Sequence, residues 1–387
     1  MCPSPRPRLN LIGQDESLER MMSILARAMD GSGGAILISG ESGSGKTRLA
    51  EEFESLASRS GCLCANAQCE PGQPPYAPLA QALMGLRRVK PALSTDASLE
   101  VLRKVLTSSE GDGLAARGDR ALFAARDILE AVCREACVLL RLDDLHLCDA
   151  STIQGMHFLA REALGRKALL VVTYSDDELY DRESRPHPLI EAVRVMRREG
   201  LCHTVELQPL TLTALGEAMR DMLEADLEGR TLSELHRESG GNPQVAVELV
   251  REALRTGGMA VRQGRMALAH EGPMAISHPL RAWMSRKLGR LPGMQREMLD
   301  CAALCDEPFD ADLLSSALGW DRLETMELLD AAMRCHRLYV EQAEGYRFRW
   351  PVLRRVASSE LGHERTMDLA RGIDRAKGGR AGGQGRG

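Results

Sequence analysis

The chain contains 387 residues, of which 44% are hydrophobic and 27% are charged, and its formal net charge is −5 at pH 7. This length allows two or three domains with buried cores, whereas the negative net charge argues against a protein that coats nucleic acid over its whole surface. No apolar run approaches the ~18 residues of a membrane span, and the proline- and arginine-rich start lacks the apolar core of a signal peptide. We therefore expect a cytoplasmic protein that makes no membrane contact.

The first half of the chain has the pattern of a layered α/β fold. Between residues 9 and 208, short apolar runs alternate with amphipathic stretches, which is typical of a parallel sheet with helices on both faces. The runs predicted to form strands are Ala35–Ser39, Cys62–Ala67, Val138–Leu142, Leu169–Tyr174 and Thr204–Leu207.

The second half is predominantly helical. Residues 209–256 are predicted to form a small helical domain, interrupted at Gly240–Pro243, where a glycine turn precedes a proline suited to a first helical turn. After a glycine- and charge-rich passage, residues 273–370 combine helices with two short strands, an order that suggests a winged-helix-like domain. The glycine- and arginine-rich residues 371–387 are predicted to be disordered.

The most specific motif is the segment Gly40–Thr47, which fits G-x-x-x-x-G-K-[ST] between a predicted strand and a predicted helix. Its glycines let the backbone curl around one anion, and the positive end of the helix dipole adds to the attraction. We expect a nucleoside triphosphate here, with Lys46 at the β- and γ-phosphates and the Thr47 hydroxyl on Mg²⁺. The candidate binding residues of this loop are Gly40, Glu41, Ser42, Gly43, Ser44, Gly45, Lys46 and Thr47.

A pair of acids follows the third predicted strand. Asp143 and Asp144 end the apolar run that begins at Val138, and the carboxyl ends of parallel strands are where ligands lie in α/β sheets. The pair predicts that Asp143 holds Mg²⁺ through water and that Asp144 polarises the attacking water as the general base. We therefore assign residues 9–208 to a P-loop ATPase domain.

These motifs together resemble a known family. The segments that carry the resemblance are, in chain order, Leu11–Gln14, Ser39–Thr47, Pro75–Leu79, Asp143–His146 with Asp149, Thr173–Leu179, Gly240–Pro243 and Tyr346–Arg349. Over roughly residues 9 to 370, the chain is similar to the AAA-like module of STAND-type signal-transduction ATPases. That module occurs in large LuxR-type transcription activators and in related bacterial adenylate cyclases and kinases.

The resemblance implies a nucleotide-dependent signalling switch. In the family, ATP or ADP is held among the α/β domain, the helical domain and the winged helix, and exchange or slow hydrolysis resets the signal. It further implies that Ile12 and Gly13 line the adenine pocket and that Pro243 packs against the base. The expected partners are ATP, Mg²⁺ and an unidentified signalling effector, and a nucleotide-dependent homo-oligomer is compatible with the family.

The sequence departs from the family pattern at three positions. It has Gln14 and Ser175 where arginine is usual, and Trp350 where histidine is usual. Each change removes a polar or cationic group, and hydrogen bonds that involve a charge are the stronger ones. The departures therefore predict a weaker closed state and slower hydrolysis, so that the chain is at most a weak ATPase.

Two alternatives follow. In the first, the protein is a nucleotide-gated transcription regulator whose winged helix contacts DNA, although the net charge does not indicate such a partner. The arginines that would make this contact are Arg347, Arg349, Arg354 and Arg355. In the second, the protein is a nucleotide-binding scaffold without turnover.

Overall fold

The computed structural model describes residues 12–89, 96–107, 114–270 and 272–383, so Leu11 of the first family segment lies outside the described residues. The chain divides into two compact units. The first, termed the α/β unit, consists of Gly13–Leu179 and Pro186–Gln208. The second, termed the helical unit, contains Ile12, Tyr180–Arg185 and the chain from Pro209 onward.

The α/β unit is built on a parallel five-stranded sheet of order β2-β3-β4-β1-β5. Its strands are β1 Gly34–Gly40, β2 Leu63–Gln68, β3 Val138–Asp143, β4 Ala168–Ser175 and β5 Cys202–Glu206. The strands β1, β3 and β4 are buried along their whole length, as expected for strands covered on both faces. The α/β fold class predicted from the alternating pattern is therefore confirmed.

Helices cover this sheet and fix the position of the loop after β1. They are α1 Asp15–Met29, α2 Lys46–Arg59, α3 Ala77–Val89, α4 Asp96–Thr107, α5 Leu114–Cys133, α6 Ala150–Ala163 and α7 Pro188–Arg198. Short 3-10 turns follow β3 at Leu145–Leu147 and β4 at Asp176–Glu178. Because Leu49 and Phe53 of α2 are fully buried, the helix that starts at Lys46 is anchored in the core.

The helical unit has one continuous core that extends from Leu210 to Ala376. Its helices are α8 Leu212–Leu223, α9 Gly229–Ser239, α10 Pro243–Arg255, α11 His278–Leu288, α12 Gly293–Leu304, α13 Ala311–Leu318, α14 Arg322–His336, α15 Pro351–Glu360 and α16 His363–Gly383. The segments predicted as a helical and a winged-helix-like domain thus share a core. Within the described ranges, no helix combines the length and the apolar character needed to cross a lipid bilayer.

Two antiparallel hairpins complete the helical unit. They are β6 Met259–Arg262 with β7 Arg265–Leu268, and β8 Tyr339–Gln342 with β9 Gly345–Phe348. The first hairpin occupies the glycine-rich passage, where the backbone of Met266 pairs with that of Asp226 and Glu228. The second corresponds to the two short strands predicted within residues 273–370.

The prediction of a disordered segment over residues 371–387 is wrong as far as Gly383, where α16 ends. Ile373 is 4% exposed, and a Cβ at Gly372 would lie 2.5 Å from the carbonyl oxygen of Ala317 on α13. The glycine therefore permits a close approach of two helices. Composition misled the prediction because alanine, arginine and lysine also favour helices, and packing on α13 stabilises this one.

Candidate nucleotide-binding site

The loop Gly40–Thr47 joins the end of β1 to the first turn of α2. Gly45 has a φ of 98°, a left-handed conformation that glycine adopts without strain. Gly40 has little room for a side chain, because a Cβ there would lie 3.0 Å from Ser44 Oγ and 3.1 Å from the carbonyl oxygen of Leu207. Gly45 thus permits a left-handed backbone conformation, and Gly40 permits a close approach of neighbouring atoms.

Lys46 lies inside this loop and is only 5% exposed. Its ammonium donates hydrogen bonds to the carbonyl oxygens of Gly40, at 3.0 Å, and Glu41, at 2.7 Å. Burial lowers the pKa of Lys46, while the carboxylates of Asp177 and Asp144 act in the opposite direction. A buried cation is stabilised when a further anion comes within reach, which is the property that a phosphate site requires.

Acidic residues after β4 hold the other side of the loop. The backbone N–H of Ser42 donates to Asp177 Oδ1 at 2.9 Å, and the Ser42 hydroxyl donates to Glu178 Oε1 at 2.5 Å. His146 accepts from the backbone N–H of Ser175 at 3.2 Å, and its Nε2 lies 3.6 Å from Glu178 Oε2. These contacts tie the loop to the ends of β3 and β4.

Asp177 and Glu178 belong to a segment that carries the family resemblance, but no role was predicted for them. The signal that could have found them is a run of three acids directly after a fully buried strand, since β3, β4 and β1 end at the same edge of a parallel sheet.

Asp143 ends β3 and is 3% exposed. Its Oδ1 accepts from the Thr173 hydroxyl at 3.2 Å, and its Oδ2 accepts from Nη1 of Arg141. Burial raises the pKa of Asp143, although the Arg141 guanidinium beside it has a lowering effect. Arg141 was predicted only as part of an apolar strand, and this contact was not predicted.

Asp144 turns away from the strand, with φ 56° and ψ 46°. Its backbone N–H donates to the Thr173 hydroxyl at 2.9 Å, and its Oδ2 accepts from Gln68 Nε2 at 2.7 Å. Gln68 ends β2 and pairs in register with Asp143. Gln68 was not predicted as a site residue, although a polar residue that ends the neighbouring strand was a usable signal.

The predicted metal ligands are chemically suited to Mg²⁺. Thr47 is half-buried in the first turn of α2, and Asp143 lies at the same edge of the sheet. Hydroxyl and carboxylate oxygens are the hard donors that Mg²⁺ prefers. The residues present therefore fit this ion.

The residues predicted to contact adenine lie in different parts of the chain. Gly13 is exposed at the start of the α/β unit, whereas Ile12 packs half-buried against the core of the helical unit. Pro243 is the first residue of α10, and the Asn242 side chain before it accepts hydrogen bonds from the first backbone N–H groups of that helix. Their roles toward the base stay predictions.

Trp350, one of the three departures, is a core residue of the helical unit. It is fully buried and stacks on Trp283, with ring centroids 5.6 Å apart, and the Lys287 ammonium lies 5.0 Å from its ring centroid. A Cβ at Gly240 would lie 2.8 Å from Trp350 Cδ1. The ring thus packs directly on the Gly-Gly-Asn-Pro turn.

Two of the four arginines considered for DNA contact hold the helical unit together. Arg354 donates to the carbonyl oxygens of Ala303 and Cys305. Arg355 donates to the Met274 carbonyl oxygen at 2.7 Å and to Glu238, a residue only 2% exposed, at 2.6 Å. Among the four, only Arg347 is exposed.

A parallel sheet whose first strand leads through a phosphate loop into a helix defines the α/β unit as a P-loop NTPase fold. Residues 10–172 match the family model described as an AAA ATPase domain. The match confirms the AAA-like part of the resemblance inferred from the motifs. Such domains bind nucleotide, usually together with Mg²⁺.

Several solved structures are similar to the chain at low sequence identity. A STAND protein with a tetratricopeptide repeat sensor from Pyrococcus horikoshii is 15% identical, with a TM-score of 0.40, and the match covers 96% of this chain. This chain spans about half of that protein, since the match covers 46% of its length. The Orc1 protein of Aeropyrum pernix, in complex with DNA, is 14% identical, with a TM-score of 0.43 and coverage of 92% of this chain and 94% of that one. The Cdc6p protein of Pyrobaculum aerophilum is 12% identical, with a TM-score of 0.43 and 97% coverage of each chain. None of the curated proteins matches the sequence.

Proposed function

We propose that this protein is a nucleotide-dependent signalling switch of the STAND type, which binds ATP and ADP and hydrolyses ATP slowly. The observation that carries the proposal is the buried Lys46 ammonium inside the phosphate loop, with two carboxylates, Asp143 and Asp144, ending a strand at the same edge of the sheet. A buried cation held in a loop at the N-terminus of a helix suits a polyphosphate, and acids at this edge suit a metal-bound triphosphate.

Each residue has a defined role in this proposal. Lys46 and the loop N–H groups bind the β- and γ-phosphates, and Asp143 and Thr47 would hold Mg²⁺, which supplies charge neutralisation when bound. Asp144 polarises the attacking water. Its Oδ2 accepts from Gln68, and the remaining lone pairs of the carboxylate can accept from the attacking water.

The wider role rests on the family resemblance. Ile12, Gly13 and Pro243 are proposed to contact adenine, and a signalling effector is the proposed partner, with nucleotide-dependent homo-oligomerisation in the cytoplasm. A scaffold without turnover is the second candidate, because the Trp350 ring is packed in the core instead of presenting a polar group. The DNA-binding alternative is disfavoured, since Arg354 and Arg355 are engaged within the unit.

The test compares Lys46→Ala with the parent by calorimetric titration of ATP and ADP in Mg²⁺. We expect binding to fall below detection, because the loop loses its buried cation, while the protein stays folded. Lys104→Ala, at an exposed position on α4, is the matched control and should bind as the parent does.

Undiminished affinity in folded Lys46→Ala would contradict the proposed site. Phosphate release measured on the same samples separates the two candidates, because the switch releases phosphate slowly and the scaffold releases none. Salt-dependent DNA affinity would instead favour the transcription regulator.

A further inference from the structure

A buried arginine stands next to the carboxylate proposed to hold the metal. Arg141 lies two residues before Asp143 on β3, so both side chains project from the same face of the sheet. Arg141 is only 7% exposed. Its Nη1 donates to Asp143 Oδ2, and its Nε donates to Glu54 Oε2 on α2 at 2.6 Å.

The arginine joins two elements of the site. Glu54 belongs to α2, the helix that begins at Lys46, and its other oxygen accepts from Asn66 Nδ2 at 2.8 Å. Asn66 pairs in register with Arg141. Arg141 therefore connects Asp143, the residue proposed to hold Mg²⁺, to the helix that begins at Lys46.

Strand cohesion does not require this arginine. Leu139, which projects from the same face of β3 as Arg141, is buried and apolar. An aliphatic residue at position 141 would avoid the cost of desolvating a charge. A buried ion pair is weak support for stability. The effect of Arg141 on the Asp143 carboxylate is therefore more informative than its contribution to stability.

We propose that Arg141 is a positioning residue that competes with Mg²⁺ for the Asp143 carboxylate and so raises the Mg²⁺ concentration that nucleotide binding requires. The inference rests on the proposed function, because it needs a nucleotide in the loop. One oxygen of Asp143 accepts from Thr173 and the other from Arg141. A metal-bound water must therefore share the Asp143 carboxylate with the guanidinium or displace the guanidinium from it. The positive charge of Arg141 also repels a cation placed beside it.

The experiment titrates ATP calorimetrically at a series of free Mg²⁺ concentrations, starting in EDTA. The main variant is the double substitution Arg141→Met with Glu54→Gln, which removes the guanidinium without leaving Glu54 as a buried unpaired charge. We expect its half-saturating Mg²⁺ concentration to fall about tenfold, within the usual range for coupled binding sites. Its ATP affinity in EDTA should match that of the parent, because the loop is untouched.

Two further variants keep the result interpretable. Glu54→Gln alone leaves Arg141 with Asp143 as its remaining carboxylate, so the Mg²⁺ requirement should stay at the parent value or rise. Arg134→Met makes the same change at an exposed arginine of the α/β unit and should leave the dependence unchanged.

A folded double variant with the parent's Mg²⁺ dependence would overturn the inference while leaving nucleotide binding intact. If the double variant does not fold, Arg141→Lys replaces it, since a single ammonium cannot reproduce both contacts, and the same shift in a smaller degree is required. A parent protein that binds no ATP at any Mg²⁺ concentration would overturn the proposed function and this inference together.

Discussion

The carboxyl edge of the sheet and the corner around Trp350 both contain residues singled out by the family resemblance, but they use them differently. At the sheet edge, the singled-out side chains are polar and bonded across elements, as in Lys46 with the loop carbonyls and Ser42 with Asp177. At the corner, an indole ring fills the position and packs on Trp283 and Gly240. The comparison teaches that position 350 serves packing in this chain, whereas the positions at the sheet edge serve polar contacts.

The largest test of this comparison is Trp350→His, which restores the usual family residue. If position 350 now serves packing, the change leaves a cavity and a buried polar ring, and we expect the free energy of unfolding to fall by about 3 kcal/mol, as for other large-to-small core changes. Thermal unfolding measures the loss. A variant that keeps the parent melting temperature and releases ADP more slowly would reverse the comparison and make position 350 a nucleotide contact.

A second test approaches the same corner from the turn. Gly240 has a φ of 57°, and a Cβ there would lie 2.8 Å both from Trp350 Cδ1 and from the Arg349 carbonyl oxygen. Gly240→Ala should therefore lower the free energy of unfolding by about 2 kcal/mol, through overpacking together with backbone strain.

The matched control is Gly257→Ala, where φ is 71° but no heavy atom lies within 4 Å of the added Cβ. It should cost about 1 kcal/mol from strain alone. Equal losses in chemical denaturation of the two variants would show that the Trp350 contact contributes nothing.

The smallest effect is expected at the sheet edge. Asp177→Asn keeps the shape of the side chain but removes a charge that faces both Ser42 and Lys46. We expect the free energy of unfolding to fall by about 1 kcal/mol, which is the difference between a charged and a neutral hydrogen bond. ATP affinity should rise about threefold, because less negative charge opposes the phosphates.

Asp127→Asn, at a half-exposed side chain on α5, is the control for both readouts and should change neither. Weaker ATP binding in folded Asp177→Asn would mean that the carboxylate matters for the shape of the loop more than for its charge.

The parts of the molecule that the sequence predicted are those encoded locally. The strand runs and the motif Gly40–Thr47 depend on neighbouring residues, and the five strands of the parallel sheet lie within two residues of the predicted bounds. The hairpin of β6 and β7 in the glycine-rich passage was not predicted. The contacts that were missed join distant positions, such as Arg141 with Glu54 and Ser42 with Asp177, which are 87 and 135 residues apart. Periodicity does not specify which side chains meet across a sheet edge, because helix packing and strand order decide it.

The backbone at Asp144 has a consequence for which residues can occupy that position. Its left-handed conformation disfavours most side chains, whereas aspartate, asparagine and glycine tolerate it. Asparagine is thus the replacement that removes the charge alone, while alanine adds a conformational cost of about 1–2 kcal/mol. Glutamate would lengthen the side chain and would disfavour the left-handed conformation of this turn. Conformation therefore narrows the acids available at this position to aspartate, so that the turn would favour this residue even in a lineage that no longer hydrolysed ATP.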